Sequence, residues 1–234
     1  MSTTTKDGSA AQGPISLFIL GLMASVTFVG ILSELVPSGI LTHMTEGLGI
    51  EETQVCLLVG IYALASAVAA IPLISMTLAV NRKTLRLVLL TGFAVSNIIV
   101  VLTSSYELIV AMRILGGICA GIMWPMIAAY GGALVPANMQ GKAITIIMSG
   151  NTFGVSLGLP FMTYIGTEIG WRTEFVSLGI LVIVIALLSA RFLPSVPGEK
   201  LTKANSPLAV LKIPGVLLVL LLTFLSVTAP YGAT

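Results

Sequence analysis

Residues 108–134 read LIVAMRILGGICAGIMWPMIAAYGGAL and carry one charged side chain, Arg113. Wound as an α-helix, this stretch is ~40 Å long, more than the ~30 Å of hydrocarbon in a bilayer. Inside lipid its backbone groups have no water to bond, so the run has to satisfy them within its own helix. Working outward, similar apolar runs cover 15–36, 55–79, 87–103, 143–166, 174–192 and 213–230. The 234 residues are 56% hydrophobic and 9% charged, against about 25% charged in soluble domains. That balance leaves too few charges for a solvated surface and excludes a soluble globular enzyme. The chain therefore reads as an all-α, multi-pass membrane protein with seven spans.

The spans sort into units. Residues 1–13, MSTTTKDGSAAQG, are small and polar and read as a disordered tail. The first run is too long for the apolar core of a cleaved signal and its preceding tail holds one lysine, so it reads as a retained span. Residues 14–193 form a six-span unit. Residues 194–212 hold three prolines and read as a cytoplasmic linker. Residues 213–234 read as a seventh span, the first of a second half that is cut short.

Charge gives the orientation. With the N-terminus inside, Lys6, Arg82, Lys83, Arg86, Lys142, Arg191, Lys200, Lys203 and Lys212 fall on the cytoplasmic face, nine of the 11 basic residues. Glu46, Glu51, Glu52, Glu107, Glu168 and Glu174 fall outside, as does Arg172. Positive-inside bias thus predicts a cytoplasmic N-terminus. The basic turn Arg82, Lys83 and Arg86 reads as an inside anchor, or as a latch that pairs with helix ends during a transport cycle.

Two proline pairs, Pro37 with Pro125 and Pro72 with Pro160, each stand 88 residues apart. A repeat of three spans reverses orientation, because three is odd. Spans 1–3 and 4–6 then form two inverted three-helix repeats, a design that places a substrate site near the membrane midplane.

Candidate functional residues are the polar groups inside the apolar runs. Glu34 lies near the outer end of span 1, where a carboxylate is costly and marks proton or substrate binding, unless it reaches the outer interface. Thr27 and Ser38 share its helix face, and Pro37 interrupts the helix just beyond it. Arg113 lies one and a half turns into span 4, placed either to snorkel outward or to serve the mechanism. Gly117, Gly121 and Trp124 continue its side of the helix. Gly150, Gly154 and Gly158, followed by Pro160, put three glycines on one face of span 5, for close packing or as a hinge. Asn97 and Asn151 are uncharged polar groups that either bond between helices or contact a ligand.

Enzyme signatures are missing from the sequence. The single histidine is His43 and the single aspartate Asp7, neither inside a span. There is no phosphate-binding loop and no metal-ligand spacing. Cys56 and Cys119 read as small apolar fillers. No cofactor, metal or nucleic acid is called for; the partners implied are the bilayer, a small molecule and protons.

The stretches SELVPSGIL (33–41), NRKTLR (81–86), RILGGICAGIMWP (113–125) and GNTFGVSLGLPF (150–161), followed by GWR (170–172), together resemble the N-terminal half of a major facilitator superfamily transporter. The resemblance is strongest to the drug/proton antiporter branch that exports sugars, arabinose and purine nucleosides. It implies that Arg113 is the proton-coupling arginine and that Gly150, Gly154, Gly158 and Pro160 form the antiporter hinge. It implies proton-coupled efflux of small organic molecules across a bacterial inner membrane. It also implies a second six-span half, without which no two-sided cavity forms. The chain departs from the family pattern in two places: SMTLAVNRK (75–83) has no acidic residue ahead of its arginine, and one six-span half stands where the family has two. A different reading is a half-size membrane protein that does not transport, acting as a partner subunit, a scaffold or a decayed fragment.

Overall fold

A computed structural model describes residues 17–198 and, beyond them, residues 215, 218, 219 and 222. The tail at 1–13, most of the linker and the bulk of the seventh span lie outside the described residues. The described chain is helical, and six of its helical segments are long and apolar enough to span a membrane. They are α1 (Leu17–Gly39), α3 (Glu52–Thr77), α4 (Arg82–Leu102), α5 (Tyr106–Ala133), a composite fifth span and α8 (Trp171–Phe192). The fifth span is α6 (Gln140–Phe153), a π-helical turn (Gly154–Gly158) and α7 (Leu159–Glu168). A short helix the apolar pattern does not announce, α2 (Leu41–Leu48), follows α1 and ends at Gly49, whose φ of 64° suits glycine.

The boundaries follow capping chemistry more than hydropathy. Glu51 and Gln54 close a reciprocal capping box on α3, with the Glu51 N–H donating to Gln54 Oε1 at 3.0 Å. The Asn81 side chain accepts from the Lys83 N–H at 3.0 Å and starts α4 five residues ahead of its apolar run. Arg82, Lys83 and Arg86 therefore stand in the first turns of a helix and not in a loop. Ser105 Oγ accepts from the Leu108 N–H at the start of α5.

Prolines do not stop these helices. Pro37, Pro72 and Pro125 all lie inside α1, α3 and α5. Each removes one main-chain donor and frees the carbonyl four residues earlier. Ahead of Pro160 the helix instead widens into the π-turn, the usual place for such a local adjustment.

Helix neighbours reveal the symmetry. Span 2 packs on span 4 and span 5 on span 1; span 3 lies on span 4 and span 6 on span 1; span 1 touches span 2 as span 4 touches span 5. Spans 3 and 6 pair with each other, as do spans 1 and 4. Exchanging spans 1–3 with spans 4–6 leaves these pairs unchanged, as two inverted three-helix repeats would; the packing of span 6 on span 5 has no comparable counterpart between spans 3 and 2 among the described residues.

Close approach in the two repeats comes from opposite partners. On α5, Gly117 and Gly121 lie against the main chain of α3 at Tyr62 and Ser66. In the symmetry-related contact, between spans 1 and 5, the glycines belong to span 5: Gly150 meets the Ala24 carbonyl and Thr27, Gly154 meets Ile31 and Phe28, and Gly158 meets the Phe28 ring. Both faces bring backbones together where a side chain would hold them apart.

Candidate functional site

The Arg113 guanidinium is buried between three helices. Its Nη1 donates to the Ser33 carbonyl at 2.7 Å and its Nη2 to the Glu34 carbonyl at 2.9 Å, both on α1. Its Nε reaches the Leu58 carbonyl on α3 at 3.5 Å, and its plane lies 4.6 Å over the Tyr62 ring. Ser33 is the residue four before Pro37, so its carbonyl has lost its helical donor. Arg113 replaces that donor. The side chain is 4% exposed and turned into the bundle.

Gly116 and Gly117 are what let Tyr62 sit there. A methyl group at Gly116 would crowd the Tyr62 ring, and one at Gly117 would strike the Tyr62 carbonyl. Next to the guanidinium, Ser33, Tyr62, Ser96, Asn97 and Gly116 line a recess too tight for a water molecule. Asn97 Nδ2 donates to the Phe93 carbonyl at 2.8 Å and lies 3.4 Å from Ser33 Oγ. The Tyr62 hydroxyl is buried with no hydrogen-bond partner among the described residues. A shut recess of polar atoms with one unmet hydroxyl can exchange hydrogen bonds when the helices move.

Glu34 stands at this cluster without joining it by its side chain. It is half-buried, and Arg113 holds its main-chain carbonyl; no ion pair links the two side chains among the described residues. Thr27 is fully buried and its hydroxyl donates to the Ile147 carbonyl at 2.7 Å, tying α1 to α6. Thr27→Val, which keeps the shape and deletes the hydroxyl, is expected to lower stability by about 1 kcal/mol in thermal unfolding of the purified protein in detergent. Ser38 is exposed and bonds its own helix at Leu35. Trp124 lies half-buried beside Gly30, and Asn151 is half-buried with a buried Oδ1 that has no donor among the described residues. No described hydrogen bond connects Thr27, Ser38, Trp124 or Asn151 to the Arg113 cluster.

Three charges depart from the sequence expectation. Glu174, sorted with the outer acids, is fully buried in the first turn of α8, where the absent side chain of Gly166 makes room. Neither of its oxygens has a partner among the described residues. Arg82 and Arg86, read as part of a cytoplasmic basic turn that serves as anchor or latch, are 7% and 0% exposed. Arg86 lies 4.9 Å over the Tyr130 ring, whose hydroxyl donates to the Pro194 carbonyl at 2.5 Å. Arg172, sorted to the outside by the charge pattern, stacks on Trp171 at 4.2 Å and bonds Ser104 and the Val101 carbonyl. Ser33, Tyr62 and Ser96 escape the sequence reading. The signal for Ser33 is the position four before Pro37; none marks the other two.

The major facilitator superfamily profile matches residues 18–234. The chain belongs to the Major Facilitator Superfamily. Among solved structures of this superfamily, the chain is similar to the proton:xylose symporter XylE bound to 6-bromo-6-deoxy-D-glucose, with 18% identity and a TM-score of 0.66 over 78% of this chain and 45% of that one. It is similar to a POT family transporter in complex with 5-aminolevulinic acid, with 17% identity and a TM-score of 0.68 over 92% and 47%. It is also similar to the human organic anion transporter MFSD10, with 19% identity and a TM-score of 0.56 over 84% and 53%. At these identities the likeness is one of fold. The chain spans about half the length of each of these structures. A superfamily chain with six apolar helices is a multi-pass membrane protein, and its relatives in fold are membrane transporters.

Proposed function

We propose that this chain supplies six-span half of a secondary transporter that exports small organic molecules in exchange for protons. One observation carries the reading: a buried arginine from α5 grips α1 through the carbonyl that Pro37 leaves free, beside the acidic residue Glu34. A grip of this kind has two states. It holds α1 against α5 while Ser33 lacks a donor, and it releases when Arg113 turns to a carboxylate. Glu34 is the acidic residue nearest to it along α1, and Asn97 and Tyr62 are the polar groups that rearrange with it. Protonation of Glu34 decides whether that carboxylate is available, which couples a proton to the movement of α1.

Export is supported by the glycine run of span 5 and its π-turn, a wide turn between two glycines that lie on α1. Placement in a bacterial inner membrane with the N-terminus inside is supported by the nine basic residues on one side. The coverage of about half suits a working unit in which a second six-span half, joined through residues 194–212 or supplied by another copy, completes the cavity. It equally suits a half-size subunit with no transport of its own, and one experiment separates the two readings.

Vesicles containing the protein are given an imposed pH gradient and a panel of sugars, nucleosides and amphipathic drugs. The expected result is collapse of the gradient by at least one of these compounds, with Glu34→Gln removing the collapse while the protein remains in the membrane. No response to any compound supports the non-transporting subunit. A response that Glu34→Gln leaves intact removes Glu34 from the mechanism.

A further inference from the structure

Where α3 gives way to α4, three cations fall within five residues, Arg82, Lys83 and Arg86, and no acidic residue occurs between positions 53 and 106. Arg82 is 7% exposed. Its main-chain N–H donates to the Val196 carbonyl at 2.9 Å, but among the described residues its guanidinium has neither a hydrogen-bond nor an ion-pair partner. That side chain lines a cavity of about 140 Å³ between α3, α4 and α5. The remaining wall is almost wholly apolar, with Ile74, Leu78, Ile122 and Met126 among its residues. Pro125 and Ala129 also line it and are exposed, so the cavity opens to the outside of the bundle.

We propose that this cavity binds an anionic phospholipid, with its phosphate on Arg82 and Lys83 and the first part of an acyl chain against the apolar wall. A guanidinium offers five N–H donors in a fork that suits phosphate oxygens. A guanidinium at the edge of an apolar recess is matched by a ligand that brings both negative charge and apolar surface. A free phosphate meets the cation and leaves the apolar wall wet. A neutral lipid covers the wall and leaves the cation unmet. An anionic amphiphile satisfies both, and basic pockets between spans at the membrane boundary are where such lipids bind. Lys83 is half-buried at the same helix start and adds a second positive charge. The site does not depend on transport, and its test reads binding alone.

The full chain is released from mixed micelles holding equal amounts of phosphatidylglycerol and phosphatidylcholine, and bound lipid is counted by native mass spectrometry. The wild-type protein is expected to prefer phosphatidylglycerol by about fivefold, the effect of one cation near a headgroup. Arg82→Gln is expected to bring the two lipids to parity. Ala129→Phe, which fills the cavity from an exposed position, is expected to reduce phosphatidylglycerol binding with Arg82 still present. Glycerol phosphate, a headgroup without chains, is expected not to displace the lipid. Equal binding of the two lipids by wild type, no lipid adduct at all, a preference that survives Ala129→Phe, or displacement by glycerol phosphate would each overturn the proposal. If Arg82→Gln does not fold, Ala129→Phe and the glycerol phosphate competition decide it.

Discussion

Replacing Arg113 by alanine is expected to destabilise the folded protein by about 3–5 kcal/mol, the scale seen when one partner of a buried charged contact is removed. The Ser33 carbonyl loses its donor, and a buried unmet acceptor costs about 1–3 kcal/mol, while the Glu34 and Leu58 carbonyls each lose a second donor beside the helical one. Ser33 is the worst placed, because Pro37 denies it the ordinary helical bond. The stacking of the guanidinium on Tyr62, worth up to about 2 kcal/mol when desolvated, goes as well. The proline argument has its own check. In a Pro37→Ala background the Ser33 carbonyl regains a main-chain donor, so Arg113→Ala should be less damaging there by about 1 kcal/mol or more. Thermal unfolding of the four proteins of this cycle in detergent measures the coupling. Additive losses would mean that Arg113 and Pro37 act independently.

Gly150→Ala is the second large effect. A single methyl group at position 150 would overlap the Ala24 carbonyl oxygen and crowd Thr27 Oγ1. The obstacle is backbone, which cannot swing aside like the end of a side chain, so α1 and α6 must separate. Their separation also lengthens the Thr27 bond to Ile147. The expected loss is about 3 kcal/mol, at the severe end for overpacking. Gly60→Ala and Gly141→Ala are the controls. Both positions face open space, so these substitutions are expected to be neutral or to gain about 0.5–1 kcal/mol from helix propensity. Melting temperatures of the three variants side by side give the comparison. If Gly150→Ala behaves like the controls, the glycine contact with α1 is not what joins these helices.

The apolar runs made the six spans legible, because length and hydropathy alone distinguish a membrane helix. Their ends were less legible. Asn81 starts α4 among charged residues that a search for apolar runs passes over, and α2 is too short and too polar to register. Arg113 and Asn97 could be picked out as polar groups in apolar surroundings, and the structure brings both to one recess. Thr27 and Ser38 were chosen by helix periodicity, which reports a shared face but not what that face meets. Thr27 meets α6 and Ser38 is exposed. Tyr62 and Ser96 carry no local signal, since tyrosine and serine are ordinary at spans and their roles arise from which helices pack together. Glu174 sorts with the outer acids through the charge pattern, which is silent on burial; the room for its buried carboxyl comes from Gly166 on a different helix. The proline rule was available and informative: a carbonyl four residues before Pro37 needed a donor, and Arg113 was the one basic residue within the interior of a span.

The central claim is that six helices alternate across a bilayer as two inverted triplets. Placing single cysteines at Glu52 and at Lys83, in a chain with Cys56 and Cys119 replaced by alanine, tests it most directly. These positions sit at opposite ends of the second span and its following turn. A membrane-impermeant thiol reagent added to sealed cells should label position 52, and position 83 only after the membrane is opened. Labelling of both positions from the same side of an intact membrane would contradict the account.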